Sequence, residues 1–448
     1  MYDNQKLSEK FRILTEGAKY DVSCASSGAS RSGQKGMLGN ALKGGICHSF
    51  TPDGRCISLL KILMTNNCLY DCKYCVNRCS QDIERAVINP RDLANIVIEF
   101  YRRNYIEGLF LSSAVFRSPD YTMELLLESV RIIRTEYRFN GYIHLKGIPS
   151  ADPELIRQAT KLVDRISLNI ELPTEKSLKM LAPQKTKEGI IKPMKMLSQI
   201  FTEHSLGRPN SKILPSGQST QMIIGATTDT DGTILRLTEG LYNIYRLKRV
   251  YYSAYVPAGD NSLLPMKPPD LLREHRLYQA DWLLRFYGFD VDELLPADMN
   301  LPYDIDPKCA WALRNLDKFP VEVNDADPTF LLRVPGMGQK SVEKVIEARK
   351  YTRLTFEDLV KMRVVMKRAR HFLLCNGKFH GAGHNELALR NALTLPSYVK
   401  APPEQLQLYD FQGQPMLHEY TQIMALPSLA HTVSVMADAQ NSAIYGEM

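Results

Sequence analysis

Three cysteines stand at a spacing that can close on one metal centre. Cys68-Leu69-Tyr70-Asp71-Cys72-Lys73-Tyr74-Cys75 follows directly on the apolar run Ile57 to Met64, so the three thiols share one loop. Thiolates are soft ligands for iron–sulfur clusters and for zinc. A cluster held by only three protein thiolates keeps one iron open to another ligand, and that iron is where chemistry can happen. The rival is structural zinc, a closed tetrahedron that would recruit Cys79 or the distant Cys47 as fourth ligand, although zinc knuckles usually come as paired CxxC units with a second pair downstream. A disulfide fits less well still. Nine cysteines is an odd number, the opening residues do not read as a signal peptide, and the thiols sit beside a strand-like run.

The elements that must position this loop follow from periodicity. Apolar, β-rich runs at Ile57–Thr65, Gly108–Ser112, Tyr142–Lys146, Arg165–Ile170, Thr220–Gly225 and Val250–Val256 alternate with helical stretches. Asn89-Pro90 opens one helix with a cap and a proline at its first position, Asp152-Pro153 opens another, and further helices are predicted at Thr122–Tyr137, Lys187–His204 and Asp270–Tyr287. Six βα units argue for an α/β fold with a parallel sheet that closes or nearly closes. In such a fold reactive groups gather at the carboxyl ends of the strands, where the cysteine loop falls. Before it, Lys6 to Ala18 reads as a short amphipathic helix and Ser26 to Gly45 as loop; Cys24, Cys47, His48 and Cys56 could ligate a second metal or be buried small hydrophobes.

Length and charge set the outer bounds. A chain of 448 residues suggests two or three domains, 44% hydrophobic and 23% charged residues are those of a globular protein, and no apolar run has transmembrane length, which points to the cytoplasm and no membrane partner. The net charge of +7 is uneven: residues 328–380 hold twelve Lys/Arg against four Asp/Glu, whereas 401–448 hold five acids and no Lys or Arg. That basic segment contains Phe330-Leu331-Leu332-Arg333-Val334-Pro335-Gly336-Met337-Gly338-Gln339-Lys340-Ser341, read as a short helix, a glycine turn and a second helix. Amides at the start of a helix bind phosphate, so Gly336, Gly338, Lys340 and Ser341 are candidate contacts to a nucleic-acid backbone, with Gly338 expected at a positive φ that valine could not adopt. Thr355 to Leu374 reads as a degenerate second copy. The alternative is a structural helical hairpin with a solvated basic face.

The CxxxCxxC spacing with an aromatic before the last cysteine resembles the signature of the radical S-adenosylmethionine (SAM) superfamily. The VPGMGQKS string resembles the helix-hairpin-helix module of DNA repair proteins. Together with Ala18-Lys19-Tyr20-Asp21-Val22-Ser23-Cys24-Ala25-Ser26-Ser27-Gly28, Gly45-Ile46-Cys47-His48-Ser49-Phe50-Thr51 and Tyr101-Arg102-Arg103-Asn104-Tyr105-Ile106-Glu107-Gly108-Leu109-Phe110, they make residues 10–380 similar to the DNA modification/repair radical SAM protein family. The resemblance implies an open six-stranded (β/α) partial barrel over residues 57–300, between an N-terminal extension (1–56) and an all-α helix-hairpin-helix domain (301–385), with an acidic tail (386–448). It implies a 4Fe-4S cluster on Cys68, Cys72 and Cys75, with SAM on the open iron. One-electron cleavage of SAM would release methionine and a 5′-deoxyadenosyl radical. Tyr74, Ser112, Ser113, Asn169, Glu171, Gln221 and Gly225 are the expected SAM contacts; the turn after the second barrel strand, Leu111-Ser112-Ser113-Ala114, departs from the Gly-Gly-Glu-like form common there. The expected partners are DNA, gripped through its backbone, and a low-potential electron donor such as flavodoxin or ferredoxin. A base buried in a duplex cannot reach a barrel interior, so flipping or a single strand is implied. Rival functions are a radical SAM enzyme acting on RNA or a peptide, and a DNA-binding protein whose cluster is structural or redox-active.

Overall fold

The computed structural model describes residues 4–18, 46–50, 56–207, 213–257, 262–381 and 385–394. Cys24 and the acidic stretch beyond residue 394 lie outside them, and Cys47, His48 and Cys56 are described in backbone only, so the second metal site falls outside the described residues. Two compact units result, Met1–Asp229 with Leu237–Glu274, and Thr230–Arg236 with His275–Met448.

In the first unit, α1 (Asn4–Ala18) is the amphipathic helix expected from Lys6 on, with Leu14 and Ala18 buried. It is followed by β1 (Ile46–Phe50), β2 (Cys56–Leu63), α2 (Pro90–Arg102), β3 (Gly108–Ser112), α3 (Pro119–Arg131), β4 (Tyr142–Lys146), α4 (Pro153–Thr160), β5 (Arg165–Ser167), α5 (Glu175–Leu181), α6 (Lys187–Gly207), β6 (Gln218–Ile224), the part of α7 (Asp231–Tyr245) from Leu237 on, and β7 (Arg249–Ala254). The strands lie side by side in sequence order, β2 to β7 all parallel, and β7 does not return to β2. Six parallel strands therefore make an open half-barrel. β1 adds a seventh, antiparallel strand on the free edge of β2, from Ile46 opposite Leu60 to Phe50 opposite Cys56. The sequence reading did not contain it, because an edge strand is decided by the unpaired backbone it covers and not by its own five residues.

Three crossover helices begin with the same device. Asn89, Ser118 and Asp152 each cap a helix whose first residue is proline, and each side chain accepts an amide of the first turn. α3 runs on through a π-turn, Ile132–Glu136, which accounts for the apolar periodicity reaching Tyr137. On the strands, Leu60, Ile62, Leu109, Leu111, Ile143, Leu145 and Ile166 are buried on one face. The alternate residues Lys61, Phe110, His144 and Arg165 stand in register across the other. β5 is shorter than expected: the ladder stops at Ser167, and Glu171 takes φ +64, leaving one isolated bridge to Met222.

The second unit contains the C-terminal part of α8 (Leu271–Phe286), then α9 (Val291–Leu294), α10 (Pro307–Arg314), β8 (Val321–Glu322), α11 (Pro328–Leu331), α12 (Gln339–Ala348), α13 (Phe356–Lys361), α14 (Met366–Ala369), β9 (Leu373–Cys375), β10 (Lys378–Phe379) and α15 (Glu386–Leu393). The expectation of an all-α C-terminal part is corrected by a three-stranded sheet, β10-β9-β8. Its strands are two or three residues long, too short for alternation to be read. Phe289, Trp311, Phe319, Phe330 and Phe372 form an aromatic core with ring centroids 5.0 to 6.2 Å apart. The pairs α11–α12 and α13–α14 are joined where the Val365 amide donates to the Gly336 carbonyl at 2.9 Å.

Candidate active site at the cysteine loop

The loop after β2 is wound around one guanidinium. Arg85 donates to the carbonyls of Asn66 (2.6 Å), Asn77 (2.9 Å), Arg78 (2.7 Å) and Gln81 (2.6 Å). Its neighbours pin the start of the loop: the Asn66 amide group donates to the Glu84 carbonyl and accepts from the Ala86 amide, and the Thr65 hydroxyl donates to the Ala86 carbonyl. Backbone bonds fix the rest, from Leu69 to Val115 (2.8 Å), Lys73 to Leu181 (2.7 Å) and Cys79 to Tyr70 (3.0 Å). Asp71 accepts from Lys73 and Ser80, which hold its carboxyl down to about 2.

On this frame Cys72 is buried, Cys68 and Cys75 are half-buried, and none is in a disulfide. The Tyr70 amide donates to the Cys68 sulfur at 3.3 Å. Burial pushes the Cys72 thiol up, with Lys185 pulling against it, and burial pushes Cys75 up to about 12. Such thiols stay protonated until a metal displaces the proton. Among the described residues no three His, Cys, Asp or Glu side chains close on a single ion. In a 4Fe-4S cluster each thiolate takes its own iron, and three thiols on one loop are a donor set that suits it.

Beside Cys72 lies a group that the sequence reading gathered only in part. Glu171, past the end of β5, accepts from the Lys185 ammonium at 2.6 Å, with both side chains nearly enclosed. Burial opposes the charge on Lys185, but Glu171, Tyr74 and Cys72 outweigh it and hold its pKa well above the usual lysine value. Lys185 was missed because it sits between α5 and α6 in no motif. Its closeness to Cys72 exists only once the backbone beyond α5 is folded against the loop, where Leu181 takes the Lys73 amide. Asn169 is 3% exposed and its side-chain oxygen has no hydrogen-bond partner, while the buried Tyr74 hydroxyl is turned to the Cys72 sulfur. Burial, then the Glu171 charge, raises the Tyr74 phenol well above its ordinary value. Buried polar atoms are nearly always bonded, so the orphaned Asn169 oxygen, two residues before Glu171, marks a place where a polar ligand fits.

The other expected contacts divide. Ser112 is fully buried at the end of β3, and the Ser113 hydroxyl donates to the Ala114 carbonyl at 2.7 Å. Gln221 is buried on β6, its carbonyl taken by the Glu171 amide. Gly225 has φ +83, and a Cβ there would meet the Pro269 ring at 2.6 Å, so its small size serves packing. Tyr74 packs on Leu172, Leu181, Ala226, Tyr255 and Leu264, an apolar wall on one side of the group.

In the second unit, Gly336 carries the positive φ, +84, and a Cβ there would meet the Val365 carbonyl at 2.6 Å. Gly338 does not: its φ is −97 as the N-cap of α12, which corrects the expectation of valine strain at that position. Both glycines are buried and so is Ser341, whose hydroxyl faces the Arg363 carbonyl at 3.5 Å; only Lys340 of the four is exposed. The Gln339 amide is turned to the Tyr287 hydroxyl, and its side chain donates to the Phe286 carbonyl at 2.6 Å.

The model of the Radical SAM superfamily matches residues 62–208, from β2 through α6. No curated protein matches the chain. Among solved structures, a FeFe-hydrogenase maturase HydG is 14% identical at a TM-score of 0.34, covering 45% of this chain and 44% of that one. The HydG maturase from Carboxydothermus hydrogenoformans is 13% identical at 0.37, covering 50% of each. The chain thus spans about half the length of these structures or less. With a superfamily match over the loop that bears Cys68, Cys72 and Cys75 and over Asn169, Glu171 and Lys185, this chain carries a radical SAM domain, of a superfamily whose cofactors are a 4Fe-4S cluster and SAM.

Proposed function

We propose that this protein is a radical SAM enzyme acting on a nucleotide in DNA. The observation that carries the chemistry is the enclosed Glu171–Lys185 pair beside Cys72 of a three-cysteine loop at the carboxyl ends of parallel strands, with the orphaned Asn169 oxygen two residues before Glu171. Cys68, Cys72 and Cys75 would hold the cluster. Lys185 and Glu171 offer a cation and a carboxylate to the carboxylate and ammonium of SAM's methionine end, and Asn169 offers an acceptor to a hydroxyl or amino group. When bound, the reduced cluster and SAM supply one-electron cleavage of a carbon–sulfur bond, yielding methionine and a 5′-deoxyadenosyl radical. The wall of Leu172, Leu181, Ala226, Tyr255 and Leu264 keeps water from this place. The electron would come from a low-potential donor such as flavodoxin or ferredoxin.

The DNA half of the reading is supported by charge. Lys340 and Lys344 on α12, Arg363 in the second turn, and Lys367 and Arg370 on and just after α14 are exposed, in a helix-hairpin-helix-like pair of turns. The buried glycines and the committed Gln339 amide move the grip from backbone amides to these side chains. Neutralising phosphates with lysine and arginine gives little sequence preference and a steep loss of affinity with salt. The test is to incubate reduced, cluster-loaded protein with SAM, with and without DNA, measuring 5′-deoxyadenosine and modified nucleosides in the digested DNA. Formation of 5′-deoxyadenosine with altered nucleosides is expected. Stimulation by RNA or a peptide and not by DNA would overturn the substrate, and absence of 5′-deoxyadenosine under all conditions would leave a DNA-binding protein with a structural or redox cluster.

A further inference from the structure

The second helical pair carries a feature that phosphate gripping does not use. Phe356, Glu357 and Val360 of α13, Met366 and Arg370 of and after α14, and His380 past β10 line one shallow groove. The Phe356 and His380 rings lie with centroids 4.1 Å apart and planes 33° from parallel. Val360 beside them is 59% exposed, an apolar side chain left in water. Of the exposed cations in this segment, Arg363, Lys367 and Arg370, the last lines the groove itself. A pair of rings with an apolar floor and a guanidinium at the rim is the composition of a stacking platform, on which a flat base lies while its phosphate meets the cation.

We propose that this groove binds an unpaired base of single-stranded DNA, stacked on the Phe356–His380 rings with its phosphate toward Arg370. This rests on the reading of DNA as substrate and adds to it a site for the displaced or single strand. Charge complementarity selects that occupant, since residues 328–380 carry twelve Lys/Arg against four Asp/Glu. Glu357 fixes the orientation. A carboxylate at the rim repels phosphate and accepts N–H, so it turns the phosphate away and takes an N–H from the edge of the stacked base.

The experiment titrates the full-length protein with labelled single-stranded and duplex DNA at low and high salt. Single strands carrying 2-aminopurine report stacking through quenching. His380→Ala and Phe356→Ala should weaken single-strand binding by about tenfold and remove the quenching, while leaving duplex affinity unchanged. His380→Phe keeps a ring and should retain both. Phe356 is partly buried, so each variant is melted first; His380 is exposed, and its pair of variants decides the matter if Phe356→Ala fails to fold. Wild type that binds DNA, with His380→Ala binding and quenching as well as wild type, sinks the groove alone. Wild type that binds neither form sinks the DNA reading together with the groove's ligand. If Val360→Glu turns a dimer into a monomer and leaves single-strand affinity unchanged, the groove is a contact between copies and the proposal falls.

Discussion

At the scale of single residues, the three cysteines and the Glu171–Lys185 pair can be separated by experiment. Ala at Cys68, Cys72 or Cys75 should abolish the 4Fe-4S cluster in anaerobically reconstituted protein, read as iron content and the paramagnetic signal of the reduced form; a full cluster in all three would refute the ligand set. Lys185→Met leaves the Glu171 charge enclosed without its partner, and losing one member of such a pair costs about 3 kcal/mol. The double variant Glu171→Gln, Lys185→Met removes both charges and should recover most of that stability. Equilibrium unfolding measures this part. SAM affinity in the same proteins should stay lost in the double variant while iron content remains near that of wild type. Recovery of SAM affinity along with stability would make the pair only a structural tie.

At the scale of elements, the cysteine loop depends on Arg85 and the hairpins on Gly336. One guanidinium satisfies four carbonyls of the loop, and lysine cannot reproduce that fork. Arg85→Lys should therefore cost about 3 kcal/mol and lower iron retention, although it touches no iron. Iron per chain after desalting, with the far-ultraviolet circular dichroism unchanged, is the measurement. Gly336 holds two helical pairs together through a carbonyl that accepts the Val365 amide, at a φ only glycine adopts easily. Gly336→Val should lower the melting temperature clearly, whereas Gly338→Val, at φ −97, escapes that backbone strain. Equal losses at both positions would show that space and not backbone conformation governs the turn.

At the scale of the whole molecule, stability should depend on pH through Lys308. Its ammonium is fully buried, donating to the Met337 carbonyl at 2.6 Å and lying 4.7 Å from the centre of the Tyr287 ring, with Asp306, Cys309 and Arg368 as charged or titratable neighbours. Burial lowers its pKa from 10.5 to about 7. Between those values the unfolded chain binds a proton that the folded chain does not, so this lysine makes stability rise with pH across the window and fall as pH drops toward 7. Melting curves of wild type and Lys308→Met through that window check the sign. Their difference should move in favour of wild type as pH rises, and a difference independent of pH would show that Lys308 stays charged in the fold. Among the described residues no helix is long and apolar enough to cross a membrane.

Much of this protein was legible in one dimension because its signals are local. The CxxxCxxC spacing, the Asn-Pro and Asp-Pro helix starts and the β-rich runs each lie within one short window, and β3 and β4 fell on the residues their patterns named. Period-two alternation was read through Asn169 and Glu171, but the strand ends at Ser167, and it is the irregular backbone after it that brings Glu171 to Cys72. Other features depend on residues far apart in the chain. Lys185 joins Cys72 only when the segment after α5 lies against the loop, and Arg85 finds four carbonyls only when residues 66 to 81 curl around it. β1 exists because β2 has an open edge. Gly338 misled because a glycine written beside a turn does not say which of two glycines takes the positive φ. That is decided by Val365, twenty-nine residues after Gly336, whose carbonyl lies where only a glycine fits.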